Sequence, residues 1–178
     1  LTGLPNRRLL MDRMEIACAA SQRNNSFGAL LFLDLDKFKL LNDTYGHDAG
    51  DALLQEVAQR LLHCVRAIDT VARLGGDEFV VLIQNIGSTA ADAREHANAV
   101  GHKILLNLNE PYTLQALQGR AHTMTPSMGA TLFLGRACEP ADIIKQADLA
   151  MYQAKTKGRN TLCFYETLGS TNVSDKTR

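Results

Sequence analysis

Arg73-Leu74-Gly75-Gly76-Asp77-Glu78-Phe79 joins two strand-like runs, 70–74 and 79–83. Adjacent glycines between strand signals read as a tight hairpin, because both residues tolerate positive φ. Such a hairpin holds the carboxylates of Asp77 and Glu78 on a rigid scaffold and aims them outward. Upstream, the apolar run Ala29-Leu30-Leu31-Phe32-Leu33 ends in a second acidic cluster, Asp34-Leu35-Asp36. If the two strands are neighbours, carboxylates from a strand end and a hairpin tip can converge on one divalent cation. Hard oxygen ligands of this kind suit Mg²⁺, which usually serves a phosphate substrate. The glycines contribute backbone approach: without Cβ atoms, the turn lets a ligand lie against the main chain.

The 178 residues suffice for one domain with its own core, and the chain is 46% hydrophobic and 21% charged, as in ordinary globular proteins. Nineteen basic residues balance nineteen acidic ones, so charge points to no nucleic-acid partner and no membrane surface. The longest apolar run, 29–33, is far too short to span a bilayer. The chain opens without Met and in mid-motif, which reads as an excised domain. Cys18, Cys64, Cys138 and Cys163 are spread without metal-site spacing. Buried reduced thiols are expected, as in a cytoplasmic domain.

The periodicity predicts helices over 5–22, 38–45, 49–66, 90–106 and 141–157, the last closed by Gly158. Strands are predicted over 27–35, 70–74, 79–83, 111–117, 120–133 and 162–165. The alternation implies an α/β (α+β) domain with one sheet covered by helices. The domain is expected to occupy 1–166, with a polar tail or linker over 167–178.

Further motifs accompany the acidic pair. Leu1-Thr2-Gly3-Leu4-Pro5-Asn6-Arg7-Arg8 opens the chain. Asp34-Leu35-Asp36-Lys37-Phe38-Lys39, Asn42-Asp43, Gly46-His47 and Gly50-Asp51 follow. Lys155-Thr156-Lys157-Gly158-Arg159-Asn160 stands near the end. In this order they resemble the GGDEF family of diguanylate cyclases over about the whole chain. The resemblance implies a mixed, mainly antiparallel central sheet flanked by helices, similar to nucleotidyl cyclases and polymerase palms. It also implies condensation of two GTP molecules into cyclic di-GMP, with release of pyrophosphate and inhibition by the product.

In that register Asp34, the Leu35 carbonyl, Asp77 and Glu78 are the expected ligands of Mg²⁺ or Mn²⁺. Glu78 has two open roles, helping to deprotonate the 3′-hydroxyl or holding a second metal. Asp36 is equally readable as structural. Asn42 and Asp51 match the family's guanine-reading pair. An amide and a carboxylate together complement the guanine edge, whereas adenine presents the wrong pattern. Lys39, Lys155 and Arg159 resemble its phosphate contacts, and the i,i+4 spacing of the last two would place them on one helix face. Phe38, His47, Leu54, Gly75 and Gly76 complete the expected substrate pocket, although His47 also reads as a loop anchor and Leu54 as core. Arg66 and Asp69 match an inhibitory product site, with Arg94 a possible third member.

The family implies a homodimer, since each subunit holds one GTP and two must react. It also implies attached sensor or EAL phosphodiesterase domains, in a parent that membrane anchoring would suit. The rival reading is a non-catalytic GTP- or cyclic di-GMP-binding module that controls an EAL domain. A purely structural dimerisation module would not need all of Asp34, Asp77, Glu78, Asn42 and Asp51.

Overall fold

Gly28–Leu35 (β1) is apolar at nearly every position because both faces of the sheet are covered. In the computed structural model, which describes residues 1–117, 119–137 and 139–166, β1 is the central strand. It pairs antiparallel with Glu78–Ile83 (β3) and with Pro126–Phe133 (β4). Thr70–Gly75 (β2) flanks β3, and Leu162–Phe164 (β5) runs parallel to β4, giving the order β2-β3-β1-β4-β5. The sheet is thus mixed and mainly antiparallel, as expected.

Alternation along β1 divides the core in two. Ala29, Leu31, Leu33 and Leu35 pack under Phe38–Tyr45 (α2), His47–Cys64 (α3) and Ala90–Asn109 (α4). Leu30 and Phe32 meet Arg7–Asn24 (α1) and Pro140–Thr156 (α5) on the opposite face. Each fully buried leucine contributes about 1.5–3 kcal/mol of transfer free energy, so a polar residue in either row would break the layer. The N-termini of α1 and α4 are capped by Asn6 and Thr89, whose side chains accept from the N–H groups of Leu9 and Asp92. At Gly129 in β4, α5 lies directly on the sheet. A Cβ there would collide with the Ala147 carbonyl and the Met151 N–H.

Two predicted strands need correction. Across 111–117, only Tyr112 makes a bridge, to His122, and Gln115–Leu117 forms a 3₁₀ turn. Strand β4 begins at Pro126 rather than at residue 120. Arg60 supplies a physical reason at the start of the first. Its guanidinium donates to the carbonyls of Asn107, Glu110 and Pro111 at 2.7–3.0 Å. It also lies 3.9 Å from the ring centre of buried Tyr112. A side chain therefore satisfies the Pro111 carbonyl, which a strand ladder would otherwise need. Helix α3 starts at His47 and stops at Cys64, so Arg66 lies outside it.

Cys18, Cys64 and Cys163 are buried, as expected, and burial pushes the Cys64 thiol up. Cys138 and the proposed tail lie outside the described residues. Among the described residues no helix is long and apolar enough to cross a membrane.

Candidate active site

The antiparallel register places Asp34 directly opposite Glu78. One step on, the Leu35 N–H donates to the Asp77 carbonyl at 3.4 Å. Within a strand, a residue's N–H and C=O share one edge. The Leu35 carbonyl therefore faces the hairpin turn too. Arg73 braces that turn, with two guanidinium nitrogens donating to the Gly76 carbonyl at 3.0 and 2.7 Å. Gly76 sits at φ +49, and a Cβ on either Gly75 or Gly76 would meet nothing within 4 Å. The space above the turn is thus open to a ligand.

The electrostatics of this cluster are unfavourable without a cation. Burial raises the Asp34 carboxyl above its ordinary value, and repulsion from Asp77 and Asp36 adds to this against the lowering effect of Lys155. Burial also raises Glu78, followed by repulsion from Asp34, Asp148 and Asp77, with Arg7 opposing. Lys155, in the last turn of α5, places Nζ 2.9 Å from Asp34 Oδ1. Among the described residues, no three acidic, histidine or cysteine side chains form a closed metal cluster. What the structure provides is an open edge of hard oxygen donors, one of them already held by an ammonium group. That donor set fits Mg²⁺ or Mn²⁺.

Asp36 is structural. It is buried, and it accepts from the hydroxyls of Thr125 and Ser127, both at 2.7 Å, and from the Asn160 N–H at 3.2 Å. This clamp ties β4 to the chain leaving α5.

The expected guanine-reading pair sits where α2 meets α3. Gly46, at φ +86, breaks the chain between the helices. Gly50 lets them close, since a Cβ there would strike Asn42 Oδ1. That oxygen is buried without a hydrogen-bond partner, an unusual cost for a structural residue. Phe38 lies beneath the same contact. Asp51 is exposed near the start of α3. The packing role of Gly50 is marked in the sequence only by its position one residue before Asp51.

Other expected contacts divide. Lys39 is exposed in the first turn of α2, and His47 is exposed at the first position of α3. Leu54 is 2% exposed within the core, where its packing reading places it. Lys155 and Arg159 do not share a helix face. Helix α5 ends at Thr156, and Arg159 follows Gly158 in left-handed backbone at φ +67. The two cations instead address one acidic cluster, Lys155 at Asp34 and Arg159 at Asp36, 3.9 Å away.

Arg66 and Asp69 lie at the opposite end of the β2–β3 hairpin. Asp69 Oδ2 accepts from the Arg66 N–H at 3.0 Å and Nε at 3.2 Å. Its Oδ1 accepts from Arg66 Nη2 at 3.3 Å and the Gln84 N–H at 3.2 Å. A carboxylate has about four acceptor positions, so Asp69 is saturated. Arg66 Nη2 also donates to the Gln84 carbonyl at 2.7 Å. Arg94 is engaged elsewhere, with Glu166 at 2.8 Å and over the Phe164 ring at 4.3 Å.

This geometry defines a three-layered α/β domain with a carboxylate centre at the end of its sheet. The family described as "Diguanylate cyclase, GGDEF domain" matches residues 1–161, and the chain belongs to it. It is 43% identical over 178 residues to the bifunctional diguanylate cyclase/cyclic di-GMP phosphodiesterase MucR of Pseudomonas aeruginosa, covering 99% of this chain and 24% of that protein. It thus spans about a quarter of that relative's length. The crystal structure of the GGDEF domain of TpbB from P. aeruginosa superposes with a TM-score of 0.85 at 35% identity, covering 94% of this chain and 99% of that one. The GGDEF domain of DgcB from Caulobacter crescentus, crystallised in complex with c-di-GMP, gives a TM-score of 0.81 at 26% identity, covering 93% and 91%.

Proposed function

We infer that this domain condenses two GTP molecules into cyclic di-GMP, releasing two pyrophosphates. The observation that carries this reading is the register of Asp34 against Glu78, with Asp77 and Lys155 on the same centre. Asp34, the Leu35 carbonyl and Asp77 would hold Mg²⁺ or Mn²⁺, with Glu78 at its margin. When bound, the metal supplies charge neutralisation on the triphosphate and lowers the pKa of the attacking hydroxyl. Lys39, Lys155 and Arg159 give the triphosphate cationic donors. Asn42 and Asp51 read guanine, with Phe38 and Asn42 both packed against Gly50.

Each 3′-oxygen attacks the α-phosphorus of the opposing GTP. Its proton passes to base or solvent, and the bond to pyrophosphate breaks. One centre holds one nucleotide, so two copies face each other during turnover. The chain's share is positioning and charge stabilisation.

Arg66 and Asp69 are the proposed site of product inhibition, and the c-di-GMP complex of the related DgcB domain supports such binding. The second reading is a regulatory module serving an attached EAL domain, favoured by the bifunctional name of a relative four times as long. Incubation with GTP and Mg²⁺, followed by chromatography for cyclic di-GMP and pyrophosphate, separates the two. Formation of both supports catalysis, whereas GTP binding without turnover leaves the regulatory role.

A further inference from the structure

The proposed product site has one visible deficiency. Asp69 is saturated by Arg66 and the Gln84 N–H. It cannot accept from a ligand without giving up a bond, and its part is to position Arg66. Arg66 keeps only Nη1 without a hydrogen bond among the described residues. A single nitrogen cannot make the two-pronged contact that a guanidinium offers to the O6/N7 edge of guanine.

A second guanidinium reaches Thr70, the residue after Asp69. Arg13 on α1 is exposed, and its Nη1 donates to Thr70 Oγ1 at 3.2 Å. Among the described residues it has no carboxylate partner. Together with Asp69, Thr70 and Gln84 it lines a cavity of about 260 Å³. That is below the ~300–1,000 Å³ of pockets that enclose whole ligands, so the cavity suits one part of a larger molecule. Its remaining walls include Ile16 and Ile68, which are 66% and 56% exposed. Two bare isoleucines next to a guanidinium without a carboxylate partner among the described residues provide an apolar face and a donor fork, the two features a purine base uses.

We propose that Arg13 is part of the product site, with one guanine of cyclic di-GMP seated against Ile16 and Ile68 and its O6/N7 edge on the Arg13 fork. This rests on the reading of Arg66 and Asp69 as the product site. It assigns the third basic residue to α1 of the same subunit, next to Thr70, in place of Arg94 on α4.

The test is calorimetric titration of cyclic di-GMP into the wild-type domain and into Arg13→Ala, Arg13→Lys and Arg66→Ala, with melting curves as folding controls. Arg13→Ala should bind roughly five- to hundredfold more weakly, the range for loss of one bidentate guanine contact. Initial cyclase rates at low product should not change. Arg13→Lys should fail to restore affinity, because an ammonium has no fork. Full rescue by lysine would overturn the guanine-edge assignment. Unchanged affinity in Arg13→Ala alongside weakened Arg66→Ala would overturn the proposal and leave the product site standing. Unchanged affinity in both would bring down the product-site reading itself.

Discussion

Lys155 Nζ stands 2.9 Å from Asp34 Oδ1, joining the last turn of α5 to the end of β1. The ammonium rests where the sequence placed a divalent cation. It offsets part of a carboxylate repulsion that burial makes worse. Under the proposed function, Lys155 would serve the carboxylates without nucleotide and the phosphates with GTP and its metal bound.

Replacing Lys155 by alanine should raise KM for GTP by roughly ten- to a hundredfold, the scale of one or two lost charge-assisted hydrogen bonds. Mg²⁺ binding without nucleotide should stay the same or tighten, because a competitor for Asp34 is gone. Weaker metal binding in calorimetry would show instead that Lys155 orients Asp34 for the ion.

Acid should disarm the centre earlier than ordinary carboxylates suggest. Asp34 and Glu78 are both raised, from 3.8 and 4.5. A raised carboxyl keeps its proton in the folded state at pH values where the unfolded chain has lost it. These two groups therefore weaken folding as pH rises through their window. Metal binding needs the ionised forms, so apparent Mg²⁺ affinity should fall on acidification beginning above pH 4.5. Affinity that stays flat down to that pH contradicts the assignment.

Asp77→Asn should melt like wild type, because the turn is open to solvent on its outer side. Turnover should drop by more than about 100-fold, beyond the range for partners outside the ligand shell. Near-normal rates from the folded variant would remove Asp77 from the metal site.

Gly50→Ala tests the guanine pocket without deleting either reading residue. The new methyl displaces Asn42 Oδ1, so GTP should bind more weakly and its margin over ATP should narrow. Asn42→Ala combined with Asp51→Ala should do the same more severely. Retained selectivity in both variants would make α2 and α3 purely structural.

Arg66 and Asp69 should separate experimentally. Asp69→Asn breaks a saturated, nearly buried carboxylate, which should cost about 1–3 kcal/mol of stability as well as product inhibition. Arg66→Ala should weaken inhibition roughly ten- to a hundredfold with little loss of initial rate. Superimposable inhibition curves for wild type and Arg66→Ala would eliminate the site.

Much of this was legible because short-range chemistry encoded it. The double glycine fixed the hairpin, and the apolar run into Asp34 marked a central strand whose end had to carry charge. The errors arose where distant groups override local pattern. Nothing near residue 111 announces that Arg60, from a distant helix, will take the carbonyl of Pro111 and those of Asn107 and Glu110 just before it. The i,i+4 spacing of Lys155 and Arg159 was a sound helical signal, but the helix stops at Thr156 and the backbone turns to positive φ at Gly158 and Arg159. Asp36 resembled Asp34 in sequence, and only its distant partners, Thr125, Ser127 and Asn160, make it a clamp.

The missing side chain at Gly129 gauges the thickness of a layer. Helix α5 rests on β4 at Ala147 and Met151, and Lys155 stands one turn beyond Met151. A methyl group at position 129 would act as a wedge. The lift it forced would travel along a stiff helix to the ammonium and widen its gap to Asp34. A substitution in the floor of the fold, touching no nucleotide and no metal, would thus misplace a charge at the reacting centre. A survey confined to residues lining the active site would never find it.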